Sequence, residues 1–260
     1  MLALLFTDKK RNILRMLITS FLLLLMNLNS ISQKIIVIDA GHGGKDPGAI
    51  QNKIKEKDIT LKIALKVGNY LTKNVKNIKV VQTRTKDVFV ELNKRAEIAN
   101  KNKADLFVSI HVNAHKDKKI QGTSTYVMGL HKSQENLEVA VYENSSILYE
   151  NNYKNTYNNF DPNSPESYII FNLYQNENLE TSIKFAEKVQ WQFKNKSKRI
   201  DKGVRQAGFL VLWQTTMPSV LIEVGFLSNT EEAKFINSEY GQDLIASAIY
   251  RAIKEFIDYL

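Results

Sequence analysis

Short blocks of strand-like sequence alternate along the chain with longer stretches in which apolar residues return every three or four positions. Residues 34–39 (KIIVID), 79–83 (KVVQT), 105–111 (DLFVSIH), 122–128 (GTSTYVM) and 219–224 (SVLIEV) are of the first kind. The most apolar of these runs have the pattern of strands buried on both faces. Residues 57–73 carry Ile59, Leu61, Ile63, Ala64, Leu65, Val67 and Leu71, a helical stripe. Residues 90–102, 181–193 and 242–260 also read as helices. Strands alternating with helices predict an α/β fold: a single domain over residues 33–260, with a mostly parallel twisted sheet covered by helices on both faces. The sequence has no internal repeat and no sign of a second domain.

One region breaks the rhythm. Residues 144–178 are rich in Asn, Tyr, Ser and Glu and contain Asp161-Pro162-Asn163-Ser164-Pro165. The preceding residues 135–144 (ENLEVAVYEN) read as a helix bearing several carboxylates. Together they predict an inserted helical and loop excursion over about residues 134–178. A surface insertion is one reading, since loops absorb length at little entropic cost. A regulatory lid is the other.

Composition adds a class and a compartment. With 43% hydrophobic and 24% charged residues the chain is globular rather than disordered. Lys9, Lys10, Arg11 and Arg15 precede the apolar run 16–28 (MLITSFLLLLMNL), and Ser30-Ile31-Ser32 follows it. That order is the n-region, h-region and cleavage site of a secretory signal peptide over residues 1–32. The run is shorter than the roughly 20 residues a spanning helix needs, so cleavage is expected rather than retention as an anchor. Removing this leader lowers the formal charge from +9 to +6, an excess that serves solubility or attraction to an anionic polymer. Export to the periplasm or cell envelope disfavours nucleic acid as a partner, and a monomer is expected. The absence of cysteine excludes a lipid anchor on cysteine and any disulfide staple, so the core alone must hold the fold.

The candidate chemistry gathers where strands end, which is where ligands bind in open α/β sheets. KIIVID leads into Gly41-His42-Gly43-Gly44, DLFVSI leads into His111, and SVLI leads into Glu223. Glu56 stands fourteen residues beyond His42, at the entry to the first helix. Taken alone, a histidine after a strand is a loop or core residue, and Glu56 is a carboxylate favoured by the helix dipole. Taken together, two imidazoles and one carboxylate make the ligand set of a catalytic zinc site with one position open to water. Glu223 would be costly to bury unpaired but makes sense as a general base beside a metal. Gly41, Gly43, Gly44 and Gly48 allow close backbone approach and positive φ. A phosphate loop is rejected because Lys45 is not followed by Ser or Thr. His115 reads as a loop residue on the substrate side and His131 as a surface residue.

The segments IVIDAGHGGKDPGA, KEKDITL, VSIHVNA and MPSVLIEVGFLSN occur in the order found in the type-3 family of zinc-dependent N-acetylmuramoyl-L-alanine amidases, and the chain resembles that family over most of residues 34–260. Thr83-Arg84-Thr85, Asn93-Lys94-Arg95 and GVRQAGF (203–209) resemble it too. The resemblance implies zinc held by His42, Glu56 and His111, with Glu223 as the catalytic carboxylate. It also implies a peptidoglycan substrate, cut between the lactyl group of N-acetylmuramic acid and the L-alanine of the stem peptide. Asn113 is a candidate donor to the oxyanion. Some cell-division amidases of this family are autoinhibited by a helix that places a glutamate on the zinc. Glu143-Asn144 resembles that helix, which implies Glu143 as an inhibitory ligand and an activator protein that withdraws it. Two alternatives stand beside this reading. A zinc carboxypeptidase would release C-terminal amino acids instead of freeing L-alanine amines. A peptidoglycan-binding protein without catalysis would lack competent residues at the four positions, and here all four are competent.

Overall fold

The computed structural model describes residues 33–173 and 177–260, together with residues 10, 13, 15 and 16. The chain divides into two units, Met1–Gln33 and Lys34–Leu260. The leader expected over residues 1–32 therefore lies almost wholly outside the described residues. Among the described residues, no helix is long and apolar enough to cross a membrane.

In chain order, Lys34–Leu260 contains β1 (Lys34–Ala40), a small hairpin of β2 (Ile50–Gln51) and β3 (Ile54–Lys55), α1 (Glu56–Asn74), β4 (Ile78–Gln82), α2 (Leu92–Lys101), β5 (Leu106–Asn113) and β6 (Thr123–Met128). There follow α3 (Gln134–Asn144), α4 (Tyr153–Thr156), α5 (Leu179–Asn195), β7 (Asp201–Ala207), α6 (Leu210–Trp213), β8 (Ser219–Phe226), α7 (Thr230–Asn237) and α8 (Glu239–Phe256). Six strands form one sheet in the order β4-β1-β5-β8-β6-β7. Its pairs are parallel except β6 with β8, which run antiparallel. The α/β architecture expected from the sequence is the one observed. β7 was missed because its residues, DKGVRQA, make no apolar run. It is an edge strand, half-exposed along most of its length.

The two faces of the sheet differ in kind, and the difference builds the site. Side chains alternate between faces along a strand. Ile36, Ile38, Leu106, Val108, Ile110, Val112, Val220, Ile222 and Val224 pack into one apolar cluster with residues of α1, α5, α7 and α8. Val37, Phe107 and Leu221 point the other way, into a second cluster with α2, α3 and α6. Two residues further on, that second face turns polar: Asp39, Ser109, His111 and Glu223 are all buried. The central strands looked uniformly apolar because burial on both faces leaves little room for alternation, and the polar exceptions fall on one face at one end.

The excursion is not an excursion in space. Leu137, Val139, Ala140, Ile147, Tyr157, Phe160 and Tyr168 are buried members of the second cluster. Its polar anchors are equally specific. Asn144 accepts from Leu210 N (2.9 Å) and donates to Gly208 O (2.8 Å). Glu150 accepts from Leu92 N (2.8 Å) and Tyr157 Oη from Asn93 N (2.9 Å). The first N–H groups of a helix lack intrahelical partners, and α2 has no side-chain cap from its own N-cap residue. The inserted segment supplies those partners.

Candidate metal centre

His42 follows β1 by two residues, Glu56 opens α1, His111 lies within β5, and Glu143 comes from the last turn of α3. All four are buried, and one potential ligand atom from each lies within 4.8 Å of the others. Glu56 Oε1 is 3.2 Å from His42 Nε2 and 3.3 Å from His111 Nδ1. Glu143 Oε2 is 3.2 Å from His42 Nε2 and 2.7 Å from His111 Nδ1. A tetrahedron with bonds of about 2.0–2.1 Å sets its ligands about 3.3–3.4 Å apart, close to three of these four separations. The contacts are short but not aligned as donor and acceptor: His42 Nε2, His111 Nδ1 and both Glu143 oxygens make no hydrogen bond. Buried polar groups are normally paired. Atoms that converge without hydrogen-bonding fit a shared cation, and the donor set of two imidazoles with carboxylates fits zinc.

Each ligand is oriented by what surrounds it. His42 Nδ1 is 2.8 Å from Asp46 Oδ2, the carboxylate–histidine arrangement that fixes an imidazole so that its other nitrogen faces a metal. Asp46 also accepts from Gly48 N (3.0 Å) and from Ser146 Oγ (2.8 Å). Glu56 does not cap its own helix. Its two oxygens accept from Ala49 N and Val112 N, each at 2.8 Å. Two glycines are dictated by this crowding. A Cβ on Gly41 would sit 2.5 Å from the His111 ring, and one on Gly48, whose φ is +61°, would sit 2.6 Å from Glu56 Oε2 and from His42 Cδ2.

His42 itself has φ +59°, a left-handed conformation unfavourable for a side chain with a Cβ. A buried arginine pair holds the backbone there. Arg95 donates to Ala40 O (2.7 Å), His42 O (2.9 Å) and Asp39 Oδ1 (2.9 Å). Arg84 donates to Ala40 O (2.9 Å) and Gly41 O (2.8 Å). Burial pushes the Asp39 carboxyl up, but Arg95, Ser109 and Thr83 together hold it below its ordinary range. Arg95→Met should therefore destabilise the protein by about 3–5 kcal/mol, because it leaves a buried carboxylate without its cation. Denaturant unfolding measures this, and a loss below about 1 kcal/mol would contradict it.

The electrostatics of the cluster follow from four titratable groups in one dry space. Burial opposes charge on both imidazoles, yet Glu56 and Glu143 outweigh it for His42, and Glu143 with Glu56 for His111. His42 stands well above its ordinary range and His111 is raised to about 10. Glu56, despite its burial, is held well below the carboxylate range by His42 and His111. Exchanging the two imidazole protons for one divalent cation leaves the cluster's net charge unchanged. Glu223 lies outside this pairing. It is fully buried, neither oxygen makes a hydrogen bond, and burial together with Glu143 pushes its pKa well above the ordinary value.

The structure thus gathers His42, Glu56, His111 and Glu143 and sets Glu223 directly opposite His111 on the neighbouring strand. One expectation needs correcting. The strands do not end at His111 and next to Glu223, as expected, for β5 continues to Asn113 and β8 to Phe226. Asn113 and His115 line a cavity of about 590 Å³ beside α3, with Leu137, Tyr142 and Phe226. His115 Nδ1 accepts from Asp117 N (2.9 Å), and His131 is a half-buried loop residue; neither joins the cluster. Asp46, Ser146, Arg84 and Arg95 carried no assigned role in the sequence. The one local signal was an aspartate four residues after a histidine inside a glycine loop.

Comparison with known proteins gives the family. The family model for N-acetylmuramoyl-L-alanine amidase matches residues 36–255. A putative N-acetylmuramoyl-L-alanine amidase of Buchnera aphidicola subsp. Baizongia pistaciae is 34% identical over 223 residues, covering 85% of this chain and 95% of that protein. N-acetylmuramoyl-L-alanine amidase AmiC of Escherichia coli O6:H1 is 32% identical over 228 residues, 85% of this chain; the chain spans only 52% of AmiC. Among solved structures, an N-acetylmuramoyl-L-alanine amidase from Clostridium difficile 630 is similar with a TM-score of 0.65 at 30% identity, covering 87% of this chain and 98% of that one. The CwlD amidase from Clostridioides difficile, solved in complex with the GerS lipoprotein, is similar with a TM-score of 0.62 at 28% identity, covering 87% of this chain and all of that one. The chain belongs to the N-acetylmuramoyl-L-alanine amidase family.

Proposed function

We propose that the protein hydrolyses the amide between N-acetylmuramic acid and the L-alanine of the peptidoglycan stem peptide, with zinc held by His42, Glu56 and His111 and with Glu223 as the general base. The observation that carries this reading is the convergence of His42 Nε2 and His111 Nδ1, neither of them hydrogen-bonded, on Glu56, beside a Glu223 carboxylate that also makes no hydrogen bond, in a chain of the amidase family. When bound, zinc supplies Lewis acidity at the scissile carbonyl and lowers the pKa of a water toward about 7.

The chain's own residues do the rest. Glu223 takes a proton from the attacking water and passes it to the departing amine as the C–N bond breaks and the new C–O bond forms. Asp46 keeps the His42 ring turned so that Nε2 faces inward, and the N–H groups of Ala49 and Val112 fix Glu56. Asn113, two residues past His111, is assigned as a donor to the developing oxyanion.

Glu143 is the inhibitory ligand in this reading. Its carboxylate would take the position that the attacking water needs, so α3 would have to leave before turnover. An activator protein that withdraws the helix fits this requirement, and a family relative captured with a lipoprotein partner supports the idea. Export follows from the leader expected over residues 1–32 and from the location of the wall polymer.

Mass spectrometry of wall fragments after digestion of purified sacculi, with zinc present, tests the reaction. Stem peptides with free L-alanine amines are expected, whereas released C-terminal amino acids would identify a carboxypeptidase. The metal assignment has its own test. The protein should bind about one zinc per chain, and in the Glu143→Ala background it should lose it on His42→Ala or His111→Ala, because the two remaining protein ligands cannot hold a catalytic site. Stoichiometric zinc in both variants by elemental analysis would refute it.

A further inference from the structure

The row of residues that carries the chemistry continues one strand beyond Glu223. β8 lies between β5 and β6, and Glu223 is paired with His111 on one side and with Ser124 on the other. Residues directly opposite in an antiparallel pair share a face of the sheet, with Cβ atoms about 4.5–5.5 Å apart. Ser124 is 1% exposed, and its hydroxyl, like both Glu223 oxygens, is buried without a hydrogen bond. Its neighbours on β6 differ. Thr123 and Thr125, which point to the other face, both bond the side-chain amide of Gln190. Leaving a buried hydroxyl unpaired costs about 1–3 kcal/mol. Here two unpaired groups, one a donor and one an acceptor, stand across a single strand pair.

We propose that Ser124 is a positioning residue for Glu223, donating its hydroxyl hydrogen to one carboxylate oxygen and leaving the other to receive the proton from water. This rests on Glu223 being the base. A glutamate has three rotatable side-chain torsions, and this one has no other hydrogen bond to select its orientation. A donor on the adjacent strand selects which oxygen turns toward His111. The serine loses and gains no proton in the reaction. Its O–H donates to the ionised carboxylate and, once Glu223 holds the proton, to the carbonyl oxygen of the acid.

The test uses Ser124→Ala and Ser124→Thr in the whole protein carrying Glu143→Ala, so that the site is uncovered. Rates are read as new L-alanine amines released from sacculi. Ser124→Ala should lower kcat about 10–100-fold, the usual range for loss of an orienting partner, with KM and zinc content unchanged. Ser124→Thr, which keeps the hydroxyl, should restore most of kcat. In the metal-free protein, the infrared carboxyl band that disappears with Glu223→Gln should shift in Ser124→Ala and not in Ser124→Thr. An unchanged kcat and band in Ser124→Ala would overturn the proposal. So would a KM effect alone, or a threonine variant no better than alanine. A Glu143→Ala protein that frees no L-alanine amines would instead refute the amidase reaction, and the infrared band would still judge the Ser124–Glu223 contact.

Discussion

Glu223→Gln should keep its zinc and its fold and lose about 10²–10⁴-fold in turnover, the usual contribution of a general acid–base group. The amide matches the carboxylate in size but cannot take a proton at neutral pH. The substitution should not destabilise the protein either. Glu223 is fully buried with neither oxygen hydrogen-bonded, so replacing it removes a group that is costly to ionise where it stands. Turnover, zinc content and denaturant midpoint, measured on one preparation, separate these claims. Near-parental turnover would move the base to another carboxylate. Glu56 is poorly suited to that role, since the Ala49 and Val112 N–H groups occupy its oxygens. A large loss of stability would mean that Glu223 has a structural partner absent from this arrangement.

The parts of this site legible in the sequence are those with a local signature. His42 stood out because glycines crowd it, and two of those glycines are explained by contact with the ligands themselves. His111 and Glu223 stood out because each interrupts a strongly apolar strand. Glu143 was reached through its helical setting and a family resemblance. The residues that orient these groups have no such mark. Arg95 meets Asp39 across 56 positions and Ser146 meets Asp46 across 100, so only the folded register reveals them. Ser124 is harder still. A serine in a strand of mixed polarity means nothing until β6 is known to run antiparallel beside β8 with Ser124 opposite Glu223. The reading of residues 134–178 as an excursion failed for a related reason. Its apolar residues are spaced among asparagines and tyrosines rather than gathered in a stripe, yet among the described residues seven are buried in the shared core.

That integration decides how the inhibitory role of Glu143 can be tested. Deleting the segment would strip α2 of the Glu150 and Tyr157 contacts at its N-terminus and uncover Val37, Phe107 and Leu221. A slow deletion variant would then report damage rather than catalysis. Glu143→Ala removes the carboxylate with a single methylene and leaves the helix in place. It leaves Asn144 bonded to Gly208 and Leu210, and Ser146 bonded to Asp46. Turnover on sacculi should rise about 5–150-fold, the range of coupling energies of 1–3 kcal/mol common for regulatory contacts. Zinc affinity should move the opposite way, since a fourth ligand is lost from a site whose other three remain. A faster enzyme that holds its metal more weakly is a combination that general loosening of the fold does not produce, because loosening would lower both. If Glu143→Ala is zinc-loaded and folded but no faster than the parent, the inhibitory role is wrong. Helix α3 is then part of the wall of the substrate groove, with Leu137 and Tyr142 facing the cavity they share with Asn113.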